Sequence, residues 1–136
     1  MATPTPLERW TARVPGYYKV RRPKAVVIRH YGIGRIDAQG VRSFFELTPG
    51  RYETSDEAGY AHGNPITVLD YKPPSEGPGL HERVEQLRAA HPRFNLCRNN
   101  CEHAVNEIWD GLHESGQVQG WAWALAGVFL VLFAKR

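Results

Sequence analysis

Cysteine is scarce in this chain: of 136 residues, only Cys97 and Cys101 carry a thiol. Two thiols so close together do not build the cross-linked framework of a small secreted domain, and a bond between them would be strained in most backbones. The pair points to a reducing compartment. An apolar stretch is missing from residues 1–14, which hold Pro4, Pro6 and mixed charges, and this argues against a secretory signal there. There is no internal repeat and no low-complexity tract, so a solenoid or fibrous reading is excluded. Acidic residues are nearly absent from the first 35 positions, where Glu8 stands against Arg9, Arg13, Lys19, Arg21, Arg22, Lys24, Arg29 and Arg35. That imbalance suits an anionic partner such as a phospholipid surface. No nucleic-acid-binding motif accompanies it, so nucleic acid is not expected.

The remaining composition is that of a folded domain. Hydrophobic residues make up 42%, charged residues 23%, and the net charge is +3. The length suits one compact core. We expect an irregular lead-in over 1–14, a catalytic domain over 15–115 and an anchor segment over 118–136. The anchor rests on an unbroken apolar run from Trp121 to Ala134, closed by Lys135 and Arg136. A spanning helix wants about 20 apolar residues, and this run reaches seventeen only when extended back to Val118 across Gln119. The tryptophans suit one membrane interface and the terminal cations the other. The run predicts a C-terminal apolar helix that tethers the chain to a membrane, either spanning it or lying in it.

Between these ends, Gly16 to Val20 predicts a short strand ended by Pro23. Ala25 to Ile36 predicts a second strand and Val41 to Leu47 a third, joined by a turn at Ala38-Gln39-Gly40 in a meander. Residues 51–64 read as loop or weak strand, and Ile66 to Tyr71 as another strand. Leu80, Val84 and Leu87 recur at helical spacing, predicting a helix that stops before Pro92. Cys101, Val105, Ile108 and Leu112 form a second helical stripe, with Asn100 as its N-cap and Gly111 as its end signal. This stripe puts the Cys101 thiol on the buried edge of its helix, against a sheet.

A thiol in the first turn of a helix meets the positive end of the helix dipole and unpaired N–H groups, which favour thiolate near neutral pH. Such a nucleophile needs a base, and strand-borne His30 is the leading candidate. A metal site is the competing use of the same residues: Cys97, Cys101 and His103, with His91 or His113 as a fourth ligand. The spacing matches no common zinc pattern, and Cys101 and His103 would leave the helix on different faces. No metal and no cofactor is expected; His103 is expected to be exposed or to support the site by hydrogen bonding.

Four segments, Gly16-Tyr17-Tyr18-Lys19-Val20, Arg21-Arg22-Pro23, His30-Tyr31-Gly32-Ile33 and Asn100-Cys101-Glu102-His103, occur in an order that resembles the lecithin:retinol acyltransferase-like family. That family includes the HRAS-like suppressor phospholipase/acyltransferases, within the permuted branch of the NlpC/P60 cysteine-hydrolase superfamily. The resemblance covers roughly residues 15–110. It implies an α+β fold, an antiparallel sheet packed against the helix that carries the nucleophile. It also implies Cys101 as nucleophile, His30 as base and Tyr31 and Asn100 as substrate-binding residues. The family's second histidine, on the following strand, is missing; Glu46 in Phe44-Phe45-Glu46-Leu47 takes its place, with Ser43 as the alternative. The family aromatic after the cysteine motif is also missing, replaced by Ala104. The implied activity is transfer or hydrolysis of a phospholipid acyl chain through a Cys101 thioester, by a domain held at the cytoplasmic face of a membrane. The rival expectations are a cysteine peptidase or isopeptidase, and a membrane adaptor that keeps the fold without the chemistry.

Overall fold

The computed structural model describes residues 2–25, 28–48, 51–90, 100–111 and 116–134. Five strands form one antiparallel sheet: β1 (Gly16–Ala25), β2 (Ile28–Ile36), β3 (Arg42–Thr48), β4 (Arg51–Ser55) and β5 (Thr67–Lys72). Their spatial order is β4-β3-β2-β1-β5, so four strands meander and the fifth returns to pair with β1. The expected α+β class is observed. Pro23 does not end the first strand; it is absorbed where the β1–β2 register shifts between Pro23 and Ala25, as a strand accommodates a residue lacking N–H at a bulge.

Period-two alternation gives the sheet two buried faces. On one lie α3 (Gly77–Ala90) and α4 (Cys101–Asp110), packed on Tyr31, Ile33 and Leu47 through Leu80, Leu87, Val105, Ile108 and Trp109. On the other, Trp10, Tyr18, Val20, Ile36, Phe44 and Tyr60 form a second cluster. Trp10 comes from α1 (Pro6–Thr11) and Tyr60 from α2 (Glu57–Ala61). The expected irregular lead-in therefore holds a helix. Thr5 and Glu8 cap it reciprocally, and Trp10 meets Phe44 edge-on at 5.6 Å. The weak segment after residue 50 likewise resolves into β4 and α2, the latter capped by Asp56.

Helix α4 is fixed at both ends. Asn100 Oδ1 accepts from His103 N–H at 2.9 Å, and Gly111 ends the helix in the left-handed conformation (φ 76°) that glycine adopts without penalty. The Arg83 guanidinium donates to the carbonyls of Ile108 and Trp109, both at 3.1 Å, where a cation complements the helix dipole.

Helix α5 (Gly116–Ala134) follows. Trp123, Leu125, Val128, Leu130, Val131 and Leu132 are all exposed on it. Of the two expected modes, spanning the membrane and lying in it, spanning finds no support: among the described residues no helix is long and apolar enough to cross a membrane. The physical reason is length, because the fourteen-residue apolar run covers only about 21 Å at helical rise, against a hydrocarbon core of about 30 Å.

Candidate active site

Strands β2 and β3 exchange backbone pairs only from Ile36–Arg42 to Ile33–Phe45. Beyond that point, toward Ile28, β2 has no strand partner on this edge among the described residues, and the cysteine end of α4 fills the gap. The Cys101 thiol accepts from Tyr31 N–H at 3.5 Å and donates to Arg29 C=O at 3.7 Å. The sulfur thus bridges the backbone on either side of His30, residues 70 positions apart having been brought into contact by the packing of α4 on β2.

His30 itself points to the opposite face of the sheet from Tyr31 and α4. Its Nε2 lies 2.8 Å from Glu46 Oε2, and its ring sits 5.6 Å from that of Tyr60. Both partners of the pair are almost wholly inaccessible, His30 at 2% and Glu46 at 3% exposed. A carboxylate can only accept, so Nε2 carries the proton and a neutral ring keeps its lone pair on Nδ1. Nδ1 is buried and has no hydrogen-bond partner among the described residues. A buried polar atom left without a partner costs stability, and a lone pair kept free is what a general base requires.

The expected hydrogen bond between thiol and imidazole is therefore not formed; the sulfur's partners are backbone groups of the residues next to His30. The expected depression of the thiol pKa is also reversed. Burial pushes Cys101 up, and this outweighs the Tyr31 N–H, the charge of Lys24 and the Glu102 N–H, which favour thiolate; the Glu102 carboxylate adds to the rise. The dipole argument treated the helix end as open, whereas Cys101 is only 6% exposed.

Of the other expected site residues, Glu46 stands beside His30 as anticipated. Ser43 does not: it faces the other side of the sheet, opposite Arg35, and lines a cleft of about 280 Å³ with Leu80 and Val84. Tyr31 meets the thiol through its backbone, while its ring lies in the core and its hydroxyl accepts from Arg21 at 3.4 Å. Asn100 is buried as the helix cap. His103, expected to be exposed or supporting, is buried, and its Nδ1 accepts from Asn100 N–H at 3.2 Å. No group of three metal-binding side chains exists among the described residues; Cys97, His91 and His113 lie outside them.

Two contributors carried no readable sequence signal. Tyr60 donates to the His30 carbonyl at 2.8 Å and stacks on Phe44 at 4.7 Å. A side chain on Gly32 would meet the Tyr60 ring at 2.7 Å, which explains the glycine in the histidine motif. Gln117, in the first turn of α5, pairs with the backbone of Arg29.

No protein-family model, curated protein or solved structure matches this chain.

Proposed function

We propose that this chain is a cysteine-dependent acyltransferase or phospholipase A-type acyl hydrolase acting on membrane phospholipid, as its resemblance to the lecithin:retinol acyltransferase-like family implies. The observation that carries the reading is the buried His30–Glu46 pair with Nδ1 left free, beside a helix-start thiol held on the same strand. Because burial favours the protonated thiol, a resting ion pair is not the starting point. For turnover the S–H leaves Arg29 C=O and the imidazole has to come within reach of the sulfur at the open edge of β2, where Nδ1 takes the proton as sulfur attacks the ester carbonyl. The Cys101 backbone N–H, at the helix start, faces the developing oxyanion. The imidazolium then protonates the departing alkoxide, leaving a lysophospholipid and a thioester. Water or an amine, deprotonated by His30, releases the acyl group as acid or amide and restores the thiol. Glu46 acts through His30, as a positioning residue that fixes the tautomer. The basic residues of the N-terminal segment and the exposed apolar helix α5 hold the domain at a cytoplasmic membrane surface.

The test is incubation with phospholipid carrying a labelled acyl chain, followed by intact-mass measurement. The expected result is one hydroxylamine-labile acyl group on the protein, absent in Cys101→Ala, together with release of lysophospholipid. Neither adduct nor release from mixed micelles would end this reading. One observation favours a second: the thiol bonds to backbone and not to imidazole. A membrane adaptor that keeps the fold without the chemistry predicts that same null result with vesicle binding intact.

A further inference from the structure

Gln117 pairs with a single residue of a distant strand. Its side-chain oxygen accepts from Arg29 N–H at 2.8 Å, and its side-chain nitrogen donates to Arg29 C=O at 3.3 Å. A primary amide carries the donor and acceptor of a peptide group, so it supplies the rung that a neighbouring strand would give. Gln117 also donates its backbone N–H to Glu102 Oε2 at 3.2 Å. The Arg29 carbonyl it engages is the acceptor of the Cys101 thiol, and Glu102 is the next residue after Cys101. The first turn of α5 is thus pinned by three hydrogen bonds, two to the Arg29 backbone of β2 and one to Glu102 at the cysteine end of α4.

Further along α5, the large apolar side chains described stand mostly in the open. Trp123 is 79% exposed, and Leu125, Val128, Leu130, Val131 and Leu132 are exposed at positions that together go round the helix. A helix apolar on all sides gains most when its whole circumference enters an apolar phase. A domain body held against its first turn opposes that.

We propose that Gln117 is a latch: docked on Arg29 and Glu102 it keeps the Cys101 thiol closed in, and a phospholipid surface that takes up α5 releases it. The proposal rests on reading Cys101 as a reacting thiol, and adds regulation to that site. A buried thiol reacts through local opening, so its alkylation rate reports the open population.

The experiment measures alkylation of Cys101 by iodoacetamide at neutral pH, in full-length protein carrying Cys97→Ser. With Gln117 intact, phosphatidylcholine vesicles accelerate the reaction. Without vesicles, Gln117→Ala alkylates about tenfold faster than its parent, as expected for loss of a pair of hydrogen bonds, and gains little more from vesicles. Gln117→Glu keeps an acceptor for Arg29 N–H and loses the donor, so its rate falls between the two. Arg83→Ala removes a comparable pair of bonds at the other end of α4 and controls for general loosening. Equal acceleration by Arg83→Ala overturns the latch, as does an unchanged rate in Gln117→Ala or in vesicle-bound parent. Because alkylation needs no lipid substrate, a chain that fails to take up an acyl group can still pass this test, and the two readings fail separately.

Discussion

His30 Nε2 and Glu46 Oε2 stand 2.8 Å apart across a point where β2 and β3 no longer share backbone pairs. The side-chain bond continues a connection that the main chain has given up. Glu46→Gln keeps the shape but can offer N–H to the ring, which allows the tautomer with its lone pair on the wrong side. Acyl turnover should fall by about 10²- to 10⁴-fold, by analogy with removal of the orienting carboxylate in serine hydrolases. Glu46→Ala should also cost about 1–3 kcal/mol of stability, because a buried ring N–H loses its acceptor. Steady-state lipid release and urea unfolding of the two variants separate the effects.

The raised Cys101 pKa makes a signed prediction. Above the ordinary thiol pKa of about 8.5, the unfolded chain has lost a proton that the folded chain still holds. Stability is therefore complete below that pH and falls as pH climbs toward the folded-state value. Tyr18, pushed up by burial to about 12, and Tyr60, pushed further still, add to the decline only as pH nears the ordinary tyrosine value of about 10, where the unfolded chain loses their protons. Urea midpoints should decline through Cys101 between about pH 8.5 and 9.5. In the Cys97→Ser background, adding Cys101→Ser should flatten that decline; a slope unchanged by the substitution would assign it elsewhere.

Gly32 tests the packing behind the base. A methyl group there would lie 2.7 Å from Tyr60 Cε2, with Tyr60 itself wedged against Phe44 and bonded to the His30 carbonyl. Gly32→Ala should cost about 1–3 kcal/mol through overpacking. Paired with Tyr60→Leu, whose smaller side chain leaves room, it should cost measurably less. Denaturation of the double-mutant cycle checks this.

Asn100→Ala removes the acceptor for His103 N–H and should destabilise by about 1 kcal/mol, whereas Asn100→Asp retains a cap. Amide hydrogen exchange in the first turn of α4 would reveal the fraying; equal protection in both variants would deny the cap its role.

The cysteine helix was legible from residues alone, because Asn100, the stripe through Val105 and Ile108, and Gly111 are strong local signals. So was the histidine strand; Glu46 came only through the family resemblance, as the match for a second histidine on the next strand. The α1 helix was hidden by Pro4 and Pro6, although Thr5 and Glu8 already spelled a capping box. Pairing of β5 with β1 joins segments about fifty positions apart and has no local signature. Burial of the thiol depends on what covers the helix end, and Gln117 lies in a polar connector with no periodicity to mark it. Local propensity reads element by element; what surrounds Cys101 is set by contacts between elements.

The parting of β2 from β3 leaves a fork in the sheet, with the sulfur at its crotch. Both broad faces are blocked, one by Trp109 and its neighbours on α4, the other by the aromatic stack of Tyr60 and Phe44. Among the described residues, the side of the sulfur that neither layer covers is this edge of β2, where Gln117 is bonded to the Arg29 backbone. On the acyl-transfer reading proposed above, an ester-borne chain reaches the sulfur along that edge once Gln117 has left Arg29.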